Sequence, residues 1–356
     1  MKKENFRKHL LEWFAESHRP LPWKNIKDAY LIWLSEIILQ QTRVEQGLPY
    51  FERFRATYPT VKDLADAPED EVMRMWEGLG YYSRARNLHA TAKHIAYDLE
   101  GTFPDTYEGI RALKGVGDYT AAAIASFAYD LPHAVVDGNV YRVLSRYFGE
   151  AIPIDTTAGK KTFRALADEL LDTQNPAQYN QAIMDFGATH CKPKQPLCTT
   201  CLLKNDCTAI AENKVNSLPV KSKKLKKTTR YFHYLILNEG KNVWLKKRGA
   251  GDIWQNLYDF PLIEKEKTLV LSELEETDEW QTFFNNKNIF IKKISRPFVQ
   301  ILTHRKIVAV FVEMNVEADF EGAKYSFVQV RRDELDKYAF PRILNDYLKD
   351  DVLELF

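Results

Sequence analysis

The sequence predicts a multidomain protein in which an all-α domain precedes a smaller α+β domain. Residues 1 to about 213 carry apolar side chains at helical spacings of three and four, separated by turn signals such as KGVGD at 114. After residue 230 the pattern changes to strands, because RYFHYLILNEGKNVWLKKR reads as a hairpin turning at Asn238–Gly240, and KIVAVFVEMNV at 306–316 is another strand. A helix is predicted in the final FPRILNDYLKDDVLELF.

The composition limits the class of protein. A length of 356 residues favours two domains of roughly 150 residues each, and the net charge of +1 requires any basic surface to be local. No apolar run reaches the ~18 residues that a membrane span needs, and MKKENFRKHLLEWF alternates as an amphipathic helix does rather than as an export signal. Four cysteines argue against a secreted fold built on disulfides. We therefore expect a cytoplasmic protein that has no membrane partner.

The first domain is predicted over 1–213 and the second over 230–356, which leaves a linker at 214–229. The stretch PVKSKKLKKTTR at 219–230 has no acidic residue, and its basic residues are Lys221, Lys223, Lys224, Lys226, Lys227 and Arg230. This composition is typical of an exposed linker. It either lies along phosphates or is a solvated tether.

All four cysteines fall in CKPKQPLCTTCLLKNDC, with the spacing C-x6-C-x2-C-x5-C. The four thiols, Cys191, Cys198, Cys201 and Cys207, can surround one compact centre. Zinc more often uses two Cys-x2-Cys pairs, whereas one such pair flanked by longer arms suits a [4Fe–4S] cluster at least as well. The spacing alone leaves both centres open, and two disulfides are the least favoured alternative.

Two carboxyl groups occupy positions that indicate chemistry. Glu36 lies within the apolar run LIWLSEIILQQTR, where a buried charge costs several kcal/mol. It therefore either faces a polar cleft or keeps a proton that it can donate. Asp137 follows an apolar triplet in AVVDGNVYRVLSR and precedes a predicted helix, so the structural alternative is a helix N-cap. One protonated and one ionised acid are what cleavage of a glycosidic bond requires.

A glycine turn joins two predicted helices in LKGVGDYTAAAIASFAY at 113–129. Gly115, Val116 and Gly117 allow a tight turn whose N–H groups, together with the start of the next helix, form an anion site. On DNA such a site would hold a phosphate without sequence preference. An ordinary turn between helices is the alternative.

The turn, VVDGNV and the cysteine loop occur together and in this order, a layout that resembles the helix-hairpin-helix DNA glycosylases of the endonuclease III superfamily. RPLPWK, WLSEIILQQTRVEQGLPYFERF and GLGYYSRARNL narrow the resemblance to the MutY-type adenine DNA glycosylases, over about residues 5–210. GAGDIWQNLYDFPLIE and LTHRKIVAVF resemble, more weakly, the Nudix-like domain of that family.

The resemblance implies a fold, an activity and a cofactor. The fold is an all-α helix-hairpin-helix glycosylase domain with an iron–sulfur cluster loop, followed by a Nudix-like α+β domain. The activity is excision of adenine mispaired with 8-oxoguanine or guanine in double-stranded DNA, by a nucleoid-associated monomer that flips the base out of the helix. The four cysteines would hold a [4Fe–4S] cluster.

The resemblance also implies roles for individual residues. Glu36 would protonate N7 of adenine, and Asp137 would stay ionised and stabilise the oxocarbenium-like sugar. Tyr119 and Asn139 would line the sugar side and orient Asp137. Glycosylase/lyase relatives carry a lysine at the position of Tyr119, so we expect a monofunctional glycosylase without a Schiff base. The residues expected around the flipped adenine are Arg19, Trp23, Leu39 and Gln181. Those expected to wedge into the duplex beside the oxidised guanine are Gln41 and Tyr81.

The predicted second domain departs from the family in two places. SELEETDEWQTFF does not match the Glu-rich helix of a catalytic Nudix domain, so we expect no pyrophosphohydrolase activity. The loop that senses oxidised guanine typically reads Phe-Ser-His, and here it is Leu302-Thr303-His304. Threonine keeps the hydroxyl, whereas leucine cannot stack as phenylalanine does.

Three alternative functions stay open at this point. An endonuclease III-like pyrimidine glycosylase is disfavoured by Tyr119 and by the second domain. A non-catalytic DNA-binding or redox-sensing iron–sulfur protein would not need Glu36 and Asp137. A zinc-stabilised structural protein would be colourless, whereas a [4Fe–4S] cluster is yellow-brown.

Overall fold

The computed structural model describes residues 2–17, 19–222, 227–284, 289–318 and 320–353. The chain divides into two compact units, the first formed by Met1–Asp66 with Asn87–Lys224 and the second by Ala67–Arg86 with Leu225–Phe356. Residues 223–226 of the predicted linker lie outside the described residues. The second unit thus includes a stretch that the sequence had assigned to the first domain.

Helices occupy the part of the chain before residue 213, as the periodicity of its apolar residues predicts. In chain order they are α1 (Lys2–Glu16), α2 (Ala29–Leu39), α3 (Val44–Thr57), α4 (Val61–Asp66), α5 (Glu69–Met75), α6 (Ser83–Lys93), α7 (Tyr107–Ala112), α8 (Asp118–Tyr129), α9 (Gly138–Phe148), α10 (Thr157–Leu170), α11 (Pro176–Asp185) and α12 (Thr208–Ala211). Of these, α5 and the first residues of α6 belong to the second unit. None of the described helices is long and apolar enough to cross a membrane.

Local sequence signals fix where the important helices of the first unit begin. Asp28 caps α2, since its carboxylate accepts hydrogen bonds from the N–H groups of Tyr30 and Leu31 at 2.9 and 3.2 Å. Gly115, with φ +81°, turns the chain before α8 begins after Gly117. The start of each helix sets which of its residues face the neighbouring helices.

The core of the first unit is formed where α1, α9, α10 and α11 pack together. Its fully buried side chains include Phe6, Leu10, Leu144, Phe163 and Tyr179. Beside this core, α2 packs against α8, and α8 against α11. This packing brings the middle of α2, the start of α8 and the start of α9 to one region.

The second unit is built on a mixed sheet. Its strands are β1 (Thr228–Glu239), β2 (Asn242–Lys247), β3 (Tyr258–Asp259), β4 (Leu262–Lys265), β5 (Phe290–Ile294), β6 (Phe298–Ile301), β7 (Arg305–Asn315) and β8 (Phe327–Arg331). The order β3-β2-β1-β7-β5 forms the main path, with β4 on β1, β6 on β7 and β8 on β2. Strands β1 and β7 run parallel along their whole length, whereas the other pairs are antiparallel.

Besides α5 and the start of α6, the described part of the second unit contains α13 (Leu271–Glu275), α14 (Asp278–Phe284) and α15 (Arg342–Leu353). The predicted hairpin is confirmed, because Glu239 of β1 pairs with Asn242 of β2 across Gly240. The predicted strand at 306–316 is β7, and the predicted final helix is α15. The prediction of an α domain followed by an α+β domain is therefore confirmed.

Candidate active site

Residues of the first unit surround one cavity of about 1280 Å³. It brings together residues that are far apart in the sequence, because α2, α8, α9 and α11 meet around it. Its lining includes every residue of this unit that the sequence assigned to catalysis or to the pocket for the flipped base, and also Gln41: Arg19, Trp23, Glu36, Leu39, Gln41, Tyr119, Asp137, Asn139 and Gln181. Both glycines of the predicted phosphate-binding turn, Gly115 and Gly117, lie at the edge of the same cavity.

Glu36 is buried in the middle of α2 and yet lines this cavity. Burial raises the pKa of Glu36 to about 7; the nearby charge of Asp137 adds to this rise, and a hydrogen bond from Tyr119 opposes it. Burial also raises the pKa of Tyr119 well above its ordinary value, so its hydroxyl remains a donor. The site therefore holds a carboxylic acid that keeps its proton close to neutral pH.

Asp137 is both a helix cap and a residue of the cavity. One of its carboxylate oxygens accepts the N–H groups of Asn139 and Val140 at 2.8 Å each, which caps α9. The other accepts the side-chain amide of Asn139 at 2.7 Å. Burial raises the pKa of Asp137 above its ordinary value, and these hydrogen bonds and the nearby Arg142 limit that rise. Asp137 can therefore serve both as the N-cap of α9 and as a catalytic carboxylate, since capping holds a carboxylate that still borders the cavity.

Arg142, which the sequence reading missed, fixes Asn139 in turn. Its guanidinium donates to the side-chain oxygen of Asn139 at 2.8 Å and to the carbonyls of Gly187 and Cys191 at 2.6 and 2.8 Å. The amide oxygen of Asn139 is therefore occupied, which turns its NH₂ group towards Asp137. An arginine three residues after the asparagine, on one helix face, was the available signal.

Asn180 of α11 fixes the chain that leads into Asp137. Its side-chain oxygen accepts the N–H of Val135 at 3.0 Å, and its NH₂ group donates to Ser126 Oγ at 2.8 Å and to the carbonyl of His133 at 2.9 Å. This fully buried amide ties the segment before Asp137 to α8. No local sequence pattern predicts this role for Asn180, because its partners lie 45 or more residues away.

One buried carboxylate holds two cations at the wall of the cavity. Asp185 accepts Arg19 Nη1 at 2.9 Å and Lys24 Nζ at 2.5 Å, and Lys24 also donates to the carbonyl of Arg19 at 2.8 Å. Between them in the chain, Trp23 packs edge-on against Phe51. The predicted base-contacting residues Arg19 and Trp23 are thus held in place, by partners that the sequence reading did not find.

The four cysteines line a second cavity of the first unit together with His190 and Arg146. All four are free thiols, and burial raises the pKa of Cys201 to about 11. Arg146 donates to Cys191 Sγ at 3.4 Å and to the carbonyl of Lys192 at 2.8 Å, so it orders the start of the loop. Among the described residues no three His, Cys, Asp or Glu side chains form a group that could hold a metal ion. The structure therefore gathers the thiols around one space without focusing them on a single point.

The residues predicted to lie beside the oxidised guanine have unusual backbones or exposed positions. Gln41 has φ +57° and Tyr81 has φ +50°, a conformation that side chains other than glycine rarely adopt. In the second unit, Leu302–His304 forms the turn between β6 and β7, and the Tyr81 hydroxyl shares a hydrogen bond with Thr303 Oγ1. The structure thus joins Tyr81 to the sensor loop, although the two lie 222 residues apart.

Family models match both parts of the chain. Residues 34–170 match the HhH-GPD superfamily base excision DNA repair protein family, and residues 233–350 match the NUDIX domain family. An adenine DNA glycosylase of Buchnera aphidicola subsp. Acyrthosiphon pisum is 34% identical over 308 residues, which cover 85% of this chain and 88% of that protein. An adenine DNA glycosylase of Rattus norvegicus is 42% identical over 228 residues, covering 60% of this chain and 44% of the rat protein.

Solved structures support the helical fold of the first unit. A thermostable thymine-DNA glycosylase superposes with a TM-score of 0.56 and 29% identity, covering 59% of this chain and 97% of that one. An endonuclease III in a non-covalent complex with DNA gives a TM-score of 0.52 at 20% identity, over 60% of this chain and 98% of that one. The second likeness is one of fold alone, and both confirm the predicted helix-hairpin-helix glycosylase architecture.

Proposed function

Because the chain belongs to the MutY-type adenine DNA glycosylases of base-excision repair, we propose that it removes adenine paired with 8-oxoguanine or guanine in double-stranded DNA. The reaction hydrolyses the N-glycosidic bond of the adenosine. One observation carries the proposal: Glu36 and Asp137 border the same cavity in opposite roles, one able to keep a proton and one held by hydrogen bonds that favour its ionised form.

Glu36 acts as the general acid. Adenine leaves poorly as an anion, and protonation of N7 converts it into a neutral leaving group. Since burial raises the pKa of Glu36 to about 7, a large fraction of the enzyme carries this proton at neutral pH. The hydroxyl of Tyr119 fixes the orientation of the Glu36 carboxyl group through their hydrogen bond.

Asp137 stabilises the positive charge that develops on the sugar as the bond breaks. Its carboxylate is held by Asn139 and by the first N–H groups of α9, so no reorganisation is needed when the oxocarbenium-like sugar forms. Asn139 is itself fixed by Arg142. The loss of Asp137 would therefore affect the rate of base release more than DNA binding.

The position of Glu36 supports base flipping. Glu36 is buried within a cavity, and a base stacked in duplex DNA cannot bring its N7 there, so the adenosine must leave the helix. Trp23 and Leu39 supply apolar surface of the pocket, and Arg19 and Gln181 supply hydrogen-bonding groups. Gly115, Val116 and Gly117, which precede α8, would hold a phosphate of the same strand.

Tyr119 supports a monofunctional reaction, because a phenol cannot form a Schiff base with the abasic sugar. Two lysines do line the cavity, but both are held by carboxylates. Lys24 pairs with the buried Asp185, and Lys27 pairs with Asp130 at 2.6 Å. With a tyrosine at position 119, we expect that strand cleavage does not follow base release.

The second unit supports recognition of the base opposite the adenine. Tyr81 would wedge beside the oxidised guanine, and Thr303 next to it would hydrogen-bond to the base through its hydroxyl. Leu302 replaces the aromatic residue that is usual in the family, so stacking at this loop is weaker. Gln41 wedges from the first unit.

The four cysteines are proposed to hold a [4Fe–4S] cluster. They line one cavity together, and their single Cys-x2-Cys pair flanked by longer arms suits such a cluster. Cys191, Cys198, Cys201 and Cys207 would hold the cluster, which orders the loop that they share. Purified protein should be yellow-brown with about four iron atoms per chain, and a colourless protein containing zinc would refute the cluster.

The proposed reaction also implies a cellular location and an oligomeric state. A DNA substrate places it with the nucleoid in the cytoplasm. One chain supplies all the proposed glycosidic residues, so the proposed reaction needs no second copy.

Single-turnover adenine release tests the proposal directly. We expect rapid release from duplexes with adenine opposite 8-oxoguanine, slower release opposite guanine and none opposite thymine. The abasic strand should stay intact until base is added, and borohydride should trap no covalent complex. Absence of adenine release would refute the function, strand cleavage without base would refute the monofunctional mechanism, and cleavage of a duplex with an oxidised pyrimidine would favour an endonuclease III-like enzyme.

A further inference from the structure

The stretch Ala67–Arg86, here called the arm, belongs to the second unit although it comes from the glycosylase part of the sequence. It consists of α5, a glycine-containing turn and the start of α6. Its apolar side chains are buried, among them Val72, Met73, Trp76, Leu79 and Tyr82. The turn carries Tyr81, the residue that we expect beside the oxidised guanine.

The turn holds Tyr81 in a defined but strained conformation. Gly78, Gly80 and Tyr81 all have positive φ, of +91°, +73° and +50°. The guanidinium of Arg84 donates to the carbonyls of Leu79 and Gly80 at 3.3 and 3.1 Å. It also lies over the ring of Tyr81 at 5.7 Å. Since the turn is fixed internally, the place of Tyr81 depends on how the arm is attached.

Polar contacts attach the arm to the rest of the second unit along its whole length. These hydrogen bonds and ion pairs include, with the arm residue first, Glu69 with Asn256 (2.5 Å), Asp70 with Lys247 (2.6 Å), Glu77 with Asn345, Tyr82 with the carbonyl of Phe340 (3.4 Å) and Arg86 with the carbonyl of Gln255 (2.7 Å). These partners come from β2, from the loop after it, from α15 and from the chain just before α15. The position of the arm therefore depends on several elements of the second unit rather than on a single loop.

The contact between Glu77 and Asn345 lies at the start of the turn. Glu77 lies one residue before Gly78 and four before Tyr81. Burial raises the pKa of Glu77, and the hydrogen bond from Asn345 is the strongest of the interactions that oppose this rise, ahead of the charges of Lys349 and Arg74 and the N–H of Phe340. By contrast, the side chains of Asp70 and Lys247 are 48% and 41% exposed, and an ion pair in water contributes little.

We propose that the contact between Glu77 and Asn345 positions Tyr81 against Thr303 and thereby sets the preference for 8-oxoguanine over guanine opposite the adenine. This inference rests on the proposed function, and it adds Glu77 and Asn345 as positioning residues for specificity. The reason is geometric. Tyr81 and Thr303 come from two segments of the second unit, and their hydroxyl groups meet only while the arm is seated. Adenine excision itself uses residues of the first unit.

The test compares adenine release opposite 8-oxoguanine with release opposite guanine, under single-turnover conditions. In Asn345→Asp two carboxyl groups face each other, and we expect the ratio of the two rates to fall about tenfold, since a hydrogen bond to a charged group is lost. Combining Asn345→Asp with Glu77→Gln restores an amide facing a carboxylate with the roles exchanged. The double variant should recover most of the ratio, which a merely destabilised protein would not do.

A matched control lies elsewhere in the same unit. Asn238 donates to Glu313 Oε1 at 3.0 Å, and Arg332 donates to the side-chain oxygens of both residues at 2.8 Å. Asn238→Asp therefore places a second carboxylate beside Glu313 in a buried place away from the arm, and it should leave the ratio unchanged whatever its effect on the melting temperature. If Asn345→Asp does not fold, Asn345→Ala replaces it, with the same fall in the ratio expected.

Three results would overturn the inference: a folded Asn345 variant with an unchanged ratio, no recovery in the double variant, or a wild-type protein that releases adenine equally fast opposite both bases. Failure of the proposed function is a different result, because it would abolish adenine release from every duplex. Recovery of the ratio in the double variant, with an unchanged ratio in Asn238→Asp, would establish the arm as part of the lesion-reading unit.

Discussion

Glu36 in the first unit and Asp259 in the second are both buried carboxyl groups, and burial raises the pKa of each to about 7. Their partners differ. Glu36 receives the hydroxyl of Tyr119 and borders a cavity of about 1280 Å³. Asp259 faces the guanidinium of Arg248, whose charge opposes the effect of burial. A displaced pKa is therefore not by itself a sign of catalysis.

The surroundings of Arg248 make the difference sharper. Besides Asp259, it pairs with Asp252 and lies over the rings of Phe232 and Trp254 at 5.8 and 5.6 Å. This buried ion pair ties β3 to the loop that follows β2. Asp259 faces the guanidinium of Arg248, which cannot accept a proton, whereas a proton on Glu36 can pass to whatever enters the cavity. Access to a ligand, together with the absence of charge compensation from a contacting arginine, separates the acid that reacts from the acid that supports the fold.

The largest expected effect is a contrast between two isosteric substitutions, one of which lowers the rate of adenine release and the other the stability of the fold. Glu36→Gln removes the proton donor and should lower single-turnover adenine release by about 10²- to 10⁴-fold while leaving the melting temperature unchanged or higher. Asp259→Asn leaves Arg248 with one buried carboxylate fewer and should lower the free energy of unfolding by about 3 to 5 kcal/mol. Adenine release per folded molecule should remain close to wild type in Asp259→Asn. Single-turnover assays and chemical denaturation of both variants check this.

Two outcomes would break this comparison. If Asp259→Asn lost base release while staying folded, the buried pair of the second unit would take part in the reaction. If Glu36→Gln kept its rate, the proton on adenine would have to come from another group in the cavity. Asp137→Asn is the companion variant, and it should lose base release while it keeps a side-chain oxygen for the cap of α9.

The second effect is pH dependence, and its direction follows from the pKa of Glu36. The reacting form has Glu36 protonated, so adenine release should fall as pH rises through about 7. For folding, a carboxyl whose pKa is raised from 4.5 contributes stability that is fully present below 4.5 and is lost as pH rises through about 7. Above pH 7, Glu36→Gln should therefore be more stable than the wild type by roughly 3 kcal/mol at most, since one pKa unit is ~1.4 kcal/mol.

Denaturant unfolding at several pH values measures this gain. Asp259→Asn serves as the contrast, because it removes the carboxylate that pairs with Arg248, and it should be less stable than the wild type at high pH, where Asp259 is ionised. A wild-type rate that stayed constant across neutral pH would contradict a titrating Glu36. A gain in stability for both variants at high pH would remove the distinction between the two carboxyl groups.

The two residues that we propose to react stand out in the sequence because each breaks a local rule. Glu36 interrupts an apolar run, and Asp137 ends one. The residues that hold them could not be predicted, because a buried amide or arginine looks like any polar residue of a helix until its partners are known. Asn180 reaches Val135, Arg142 reaches Cys191, and Asp185 reaches Arg19, over 45, 49 and 166 residues.

The sequence did not predict that the arm packs with the second unit, for a related reason. Its helical periodicity is the same whichever unit it packs against, so local pattern could not assign it to the second unit. The carboxyl groups of Glu69, Asp70 and Glu77 look like the exposed face of an ordinary helix and its end. Their partners come from a part of the chain that starts more than 150 residues later, and only the tertiary structure pairs them. The resemblance placed Tyr81 and the sensor loop in one function without indicating that they touch.

The smallest expected effect concerns the glycine turn at the edge of the cavity. Here too one residue is expected to support the fold and its neighbour to contact the ligand. Gly115 has φ +81°, and a Cβ there would lie 2.8 Å from the Cβ of Asn87, whereas a Cβ on Gly117 meets nothing within 4 Å. Gly115→Ala should therefore lower the free energy of unfolding by about 1 to 2 kcal/mol through its backbone conformation, and further through the contact with Asn87. Gly117→Ala should leave unfolding unchanged and weaken the binding of duplex DNA a few-fold, because its methyl group would stand where a phosphate approaches the start of α8. Melting curves and binding to an uncleaved duplex distinguish the two variants: equal DNA affinity for Gly117→Ala and the wild type would show that the turn shapes the cavity edge without holding a phosphate there.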